Sequence, residues 1–155
     1  MEPLWAPWRS EFILREKKEE GCFFCRYLLA GPGHDRENLV VERGEQVFVV
    51  MNRFPYNNGH LLIAPHRHTA DLGSLDDHAA VEMWRTAERW VARIRRAMKA
   101  EGVNLGLNLG RAAGAGVEDH LHLHVVPRWV GDTNFMPVCS DAKVISQSLA
   151  ACYEA

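Results

Sequence analysis

Between Asp119 and Arg128 the chain reads DHLHLHVVPR, which sets His120, His122 and His124 in strict alternation with Leu121, Leu123 and Val125. A period of two is that of a β-strand, so three imidazoles share one face and the aliphatics the other. Helices can cover the aliphatic face. The imidazole face has no packing advantage over Val or Thr, and three adjacent rings cannot comfortably all carry a proton. The stretch therefore predicts a reactive or ligand-binding face, with a metal-only histidine ladder as the alternative.

The 155 residues suffice for one domain with a core of its own. Within it, residues 1–30 read as an N-terminal segment, 38–128 as the core and 129–155 as a tail with a closing helix. An apolar share of 47% and a charged share of 25% belong to an ordinary globular protein. A net charge of −2 and a pI near 6.4 lack the basic footprint of a nucleic-acid surface. No apolar run approaches the roughly 20 residues that cross a bilayer. MEPLWAPWRSEF lacks the apolar segment of a secretion signal, so a cytoplasmic protein is expected. In that compartment the four cysteines suggest thiols or a metal site rather than disulfides.

Trp5 and Trp8, set among prolines, predict a hydrophobic clasp over a core edge or a subunit interface. REKKEEG reads as a solvated helix or turn ending at Gly21. Cys22 and Cys25 in GCFFCRYL can reach one ion, although a redox dithiol has the same spacing. Cys139 and Cys152 read as buried or idle thiols. LAGPGHDREN is expected to be a loop, with an exposed His34. Residues 38–42, 46–51 and 60–65 read as strands, the first two joined by a turn at Arg43–Glu45. A helix is predicted from Ser74 to Lys99, with Ser74 as its N-cap and His78 solvated. Its apolar stripe is Ala80, Trp84, Ala87, Val91, Ile94 and Met98. Acidic residues near its start and Arg93, Arg95, Arg96 and Lys99 near its end match the helix dipole. In VNLGLNL, residues Val103, Leu105, Leu107 and Leu109 are expected on a buried face, opposite a small, polar, open face of Asn104, Gly106 and Asn108. GRAAGAG is a glycine loop able to aim backbone amides at a phosphate. A short amphipathic helix is expected over residues 140–153.

A neutral imidazole is a nucleophile at pH 7 without help from a strong base. The middle ring, His122, is the best placed to attack phosphorus, with its second nitrogen donating to a carbonyl or side chain. His124 and His60 can hold phosphoryl oxygens or protonate a leaving group. The amides of Gly114 and Gly116 can stabilise charge on the phosphate.

HLHLHVV also resembles the signature of the histidine-triad (HIT) family, and NRFPYNNGHLLIAP, the Asn108–Gly110 segment and PRWVGDTNF look like its bacterial diadenosine tetraphosphate phosphorylases. The resemblance runs from Trp5 past Phe135. It implies an α+β fold of about five antiparallel strands with one long helix and a short C-terminal one, usually paired as a homodimer. It further implies nucleotidyl transfer or hydrolysis at the α-phosphate of a dinucleoside polyphosphate through a nucleotidyl-histidine. His122 matches the nucleophile and Asn52 a ribose contact. Asn108 and His124 match groups that bind the phosphates and orient the nucleophile, and Trp129 falls in the tail match and is assigned to nucleotide binding. Where the sequence is similar to galactose-1-phosphate uridylyltransferase, Cys22, Cys25, His68 and His120 map onto a structural zinc site. The chain departs from the family at Ala115, Gly116 and Val117, where a phosphate-binding hydroxyl is common. A nucleotide-binding sensor without turnover and a nucleoside phosphoramidate hydrolase are the alternative functions.

Overall fold

The computed structural model describes residues 21–132, 145 and 147–155. Trp5, Trp8, Asn134, Phe135, Cys139 and the charged REKKEE run lie outside the described residues.

One antiparallel sheet organises the molecule, as an α+β fold of this pattern requires. Its strands are β1 (Val40–Arg43), β2 (Val47–Met51), β3 (Leu61–Pro65), β4 (Gly102–Leu107) and β5 (Leu123–Arg128). They lie side by side in the order β1-β2-β3-β5-β4, and every pairing is antiparallel. β2 and β3 are buried throughout, which is why both read as unbroken apolar runs rather than alternations.

Each sheet face has its own core. One face, with Val47, Val49, Ile63, Leu123 and Val125, lies beneath a long helix. The other carries Val40, Phe48, Val50, Leu62 and Ala64 around the fully buried Phe24. Phe24 belongs to helix α1 (Phe23–Ala30), which follows directly from Cys22. Pro32–His34 then forms a 3-10 turn and Asp35–Asn38 a single helical turn, α2, where the glycines and proline predicted only loop. His34 is exposed, as expected.

The long helix, α3, spans Asp77–Met98 and starts later than its sequence suggests. Asp76, not Ser74, is its N-cap, accepting from the Ala79 amide at 2.8 Å. Ser74 instead closes the preceding 3-10 turn, Leu72–Ser74, through its hydroxyl on the Asp71 carbonyl. The buried stripe is Ala79, Met83, Thr86, Ala87 and Ile94, with Trp90 and Met98 packed beside it. Ala80 and Trp84 are exposed, Trp84 by 62%. Steps of three and four fit either phase over the first two turns; packing on the sheet buries the phase one residue earlier. Glu82 of this helix accepts from the amides of Glu45 and Gln46 and so pins the β1–β2 turn. A Cβ on Gly44 would strike that carboxylate, which explains the glycine.

β4 is an edge strand. Val103 and Leu107 pack on the core, but Leu105 is 38% exposed and Leu109 49%, so the expected buried row is only half buried. Of the helix expected over 140–153, residues 140–144 and 146 lie outside the described residues; α4 (Leu149–Glu154) is capped by the Ser148 hydroxyl. Among the described residues no helix is long and apolar enough to cross a membrane.

Candidate active site and metal cluster

β5 pairs from Leu123 onward, so His124 sits within the ladder while His120 and His122 lie in the extended segment leading to it. The alternation still holds. All three rings are buried on the Phe24 side, with Phe24 centred 5.0 Å from His120 and 5.3 Å from His122.

Each ring has one nitrogen committed to the fold. His122 Nδ1–H donates to the carbonyl of His120 at 2.8 Å, which leaves the Nε2 lone pair uncommitted. His120 Nε2–H donates to the Pro65 carbonyl at 2.8 Å and turns Nδ1 the other way. His60, buried at the head of β3, accepts at Nδ1 from the Tyr56 amide at 3.0 Å and lies 3.2 Å from Asn52 Nδ2. Its proton is therefore on Nε2, 2.9 Å from His124 Nδ1. His124 then carries its own proton on Nε2, facing the site. Asn108 Nδ2 is 3.4 Å from that atom and also donates to the Gly114 carbonyl at 3.4 Å. Two N–H donors thus converge on one volume, an arrangement suited to a phosphoryl oxygen. Gly106 lies opposite His124 in the ladder, and a Cβ there would meet only open space.

Burial keeps all three triad imidazoles below the ordinary histidine range, although the carbonyl bonds of His120 and His122 oppose the shift. His124 is pushed to about 4 by burial and then by His122. Near pH 7 the face is therefore neutral, with one free lone pair at His122 and one outward N–H at His124.

The glycine loop is partly occupied with its own turn. The amides of Gly114 and Ala115 donate to the carbonyls of Arg111 and Gly110 at 2.9 and 3.4 Å. Gly116 is exposed beside them. Asn52 faces His60 and also accepts from the Phe54 amide at 2.9 Å, so its amide is directed at the histidines' support. Trp129 is not brought to the histidines. It lies past the far end of β5, where its indole N–H donates to the Met98 and Lys99 carbonyls at 3.3 and 3.1 Å and closes the α3 terminus. A tryptophan two residues beyond Pro127 carried no sign in the sequence of which strand end it would serve.

Beside the triad, Cys22, Cys25, His68 and His120 bring four ligand atoms within 4.8 Å of one another. Cys22 Sγ and Cys25 Sγ lie 3.3 and 3.7 Å from His120 Nδ1, and His68 Nδ1 lies 3.4 Å from Cys25 Sγ and 3.3 Å from His120 Nδ1. Bonds of about 2.0–2.3 Å to a tetrahedral ion imply ligand separations of about 3.4–3.8 Å, close to these edges. The Pro65 carbonyl behind His120 is the outer partner such a ligand needs to present Nδ1. Burial, and then Cys22, hold the Cys25 thiol above its ordinary value. The cluster fits a metal.

Two further residues came without a sequence signal. Phe24 lies inside the CxxC spacing and covers the triad. Tyr56, between the segments read as strands at 46–51 and 60–65, stacks on His124 with centroids 5.4 Å apart and planes at 12°.

The HIT domain description matches residues 34–130. The chain is 36% identical to a protein described as "AP-4-A phosphorylase" from Mycobacterium tuberculosis, over 96% of this chain and 79% of that protein. Its fold matches a zinc-bound histidine triad family protein from Mycobacterium smegmatis, with a TM-score of 0.68 at 26% identity, covering 86% of this chain and 88% of the other. A hypothetical histidine triad nucleotide-binding protein from Sulfolobus tokodaii gives 0.66 at 27% identity over 86% and 85%. Together with the buried triad, the match over residues 34–130 shows that this chain belongs to the HIT domain family.

Proposed function

We propose that the protein is a nucleotide phosphorylase or hydrolase that cleaves dinucleoside polyphosphates, or related nucleotide conjugates, at the α-phosphate. The observation that carries this reading is the His122 Nδ1–H bond to the His120 carbonyl at 2.8 Å, which fixes the tautomer that leaves the lone pair on Nε2. That nitrogen attacks the α-phosphorus and forms an N–P bond as the bond from phosphorus to the bridging oxygen breaks. The leaving oxygen departs with the electron pair as a phosphate anion and accepts a hydrogen bond from His124 Nε2–H. Asn108 and the Gly116 amide support the other phosphoryl oxygens, and Asn52 acts through His60. Phosphate or water then displaces His122 from phosphorus; water, unlike phosphate, also releases a proton. The 36% identical phosphorylase from Mycobacterium tuberculosis supports the phosphate-chain substrate.

Cys22, Cys25, His68 and His120 hold a zinc ion in this reading. Four protein ligands leave no open position for water, so the ion clamps α1 to the sheet and supplies no catalytic hydroxide. A cytoplasmic location, where such thiols stay reduced, suits the site. The chain pairs as a homodimer, an assembly supported by the open edge of β4 with the exposed side chains of Leu105 and Leu109.

The test is product analysis with diadenosine tetraphosphate, with and without inorganic phosphate. ADP and ATP formed only with phosphate identify a phosphorylase; AMP and ATP in plain buffer identify a hydrolase. No turnover and no acid-labile nucleotide adduct would leave a nucleotide sensor in its place.

A further inference from the structure

The connection from Asn52 to His60 is held far more firmly than a loop needs for its own sake. The Phe54 amide donates to Asn52 Oδ1, and the Tyr56 amide to His60 Nδ1. Asn57 Nδ2 donates to the Pro127 carbonyl at 3.0 Å and to Asp132 at 2.8 Å. On this fixed frame two large aromatic side chains stand partly in solvent, Phe54 by 39% and Tyr56 by 47%. Exposure of that size gains nothing for the fold, because burial is what makes aromatics stabilising.

The Tyr56 ring centre is 5.4 Å from His124, nearly parallel, and 4.6 Å from His60. The residue is nevertheless 47% exposed, so its ring carries the His124 stack out to solvent. His124 is also the ring whose Nε2–H meets the leaving oxygen, so the departing half of the substrate passes beside this stack. A second nucleobase on that half needs a flat, apolar, preorganised surface; stacking on an aromatic ring supplies one and tolerates any base.

We infer that the exposed surface of the Tyr56 ring is a stacking subsite for the nucleobase of the leaving nucleotide. This rests on the dinucleoside polyphosphate reading above and specifies what selects the second nucleoside. The phosphate chain must reach the Tyr56 ring to set its base on that surface, so chain length enters selectivity together with the base.

The experiment compares kcat/KM for diadenosine tetraphosphate and adenosine 5′-tetraphosphate, which share a phosphate chain and differ in the second nucleoside. The proposal expects the wild type to prefer the dinucleoside. Tyr56→Leu should lower that preference about ten-fold, the size of one base–aromatic stack, and Tyr56→Phe should keep it. An unchanged preference in Tyr56→Leu overturns the subsite, as does an equal loss on both substrates, which would make Tyr56 only a support for His124. Wild-type turnover of neither substrate defeats the underlying functional reading instead.

Discussion

The role proposed for His122 rests on two neighbouring residues and on burial. His120 offers its carbonyl, His60 orients His124, and burial keeps the rings neutral. His122→Ala should lower turnover by at least about 10³-fold while the melting temperature and nucleotide binding by calorimetry stay near wild type. Retained turnover would remove His122 as the attacking group. The His124 shift has a stability consequence of definite sign. Its folded value of about 4 lies below the ordinary 6.5, so the unfolded chain binds the extra proton first as pH falls. The stability tied to this ring is complete above about pH 6.5 and is lost as pH drops toward 4. Urea titrations at pH 7.5 and 5 should therefore show a smaller pH-dependent loss for His124→Gln than for the wild type; equal losses would refute the linkage. The shared histidine face was legible in the sequence because alternation of His with aliphatics puts the rings on one side of an extended chain. Tyr56 was not, since nothing local says that an aromatic between Pro55 and Asn57 will meet a ring 68 positions later.

Among the elements, α1 contributes most for its length. Its eight residues carry Cys25 and Phe24 and follow directly from Cys22, so one helical turn joins the metal cluster to the second core. Phe24→Ala should cost about 3–5 kcal/mol in chemical denaturation and lower kcat more than it raises KM, because two triad rings lose their cover. A cost under about 1 kcal/mol would show that α1 does not bear on the sheet. The sequence exposed the cysteines but not the helix, since GCFFCRYL is too short to display a period. The same shortness hid α2 inside LAGPGHDREN. On α3 the period was clear and its phase was not. Trp84 and Met83 are neighbours in sequence, and packing against the sheet, not the local period, decided which faced inward.

At the scale of the molecule, the strand order places β4 at an edge with aliphatic side chains in solvent, while β1 at the opposite edge is covered in part by α2 and by Tyr153, whose hydroxyl donates to the Val40 carbonyl at 2.9 Å. Sedimentation at micromolar concentration should give twice the 17.6 kDa chain mass, and Leu105→Lys should shift it to one chain; a monomeric wild type would defeat the homodimer. The antiparallel sheet was legible through the resemblance of the histidine stretch to its family, whereas the strand order was not read from the sequence. Which edge stayed open was not, since that depends on contacts between segments far apart in the chain. His120 ties these scales together, for its ring nitrogen lies in the Cys22–Cys25–His68 cluster and its carbonyl holds the proposed nucleophile, His122. A chain in which that residue has shifted can keep its sheet intact while its attacking nitrogen points astray. Damage at the cluster would then divide a preparation into competent and silent molecules, and an average specific activity would report their proportion rather than the speed of either.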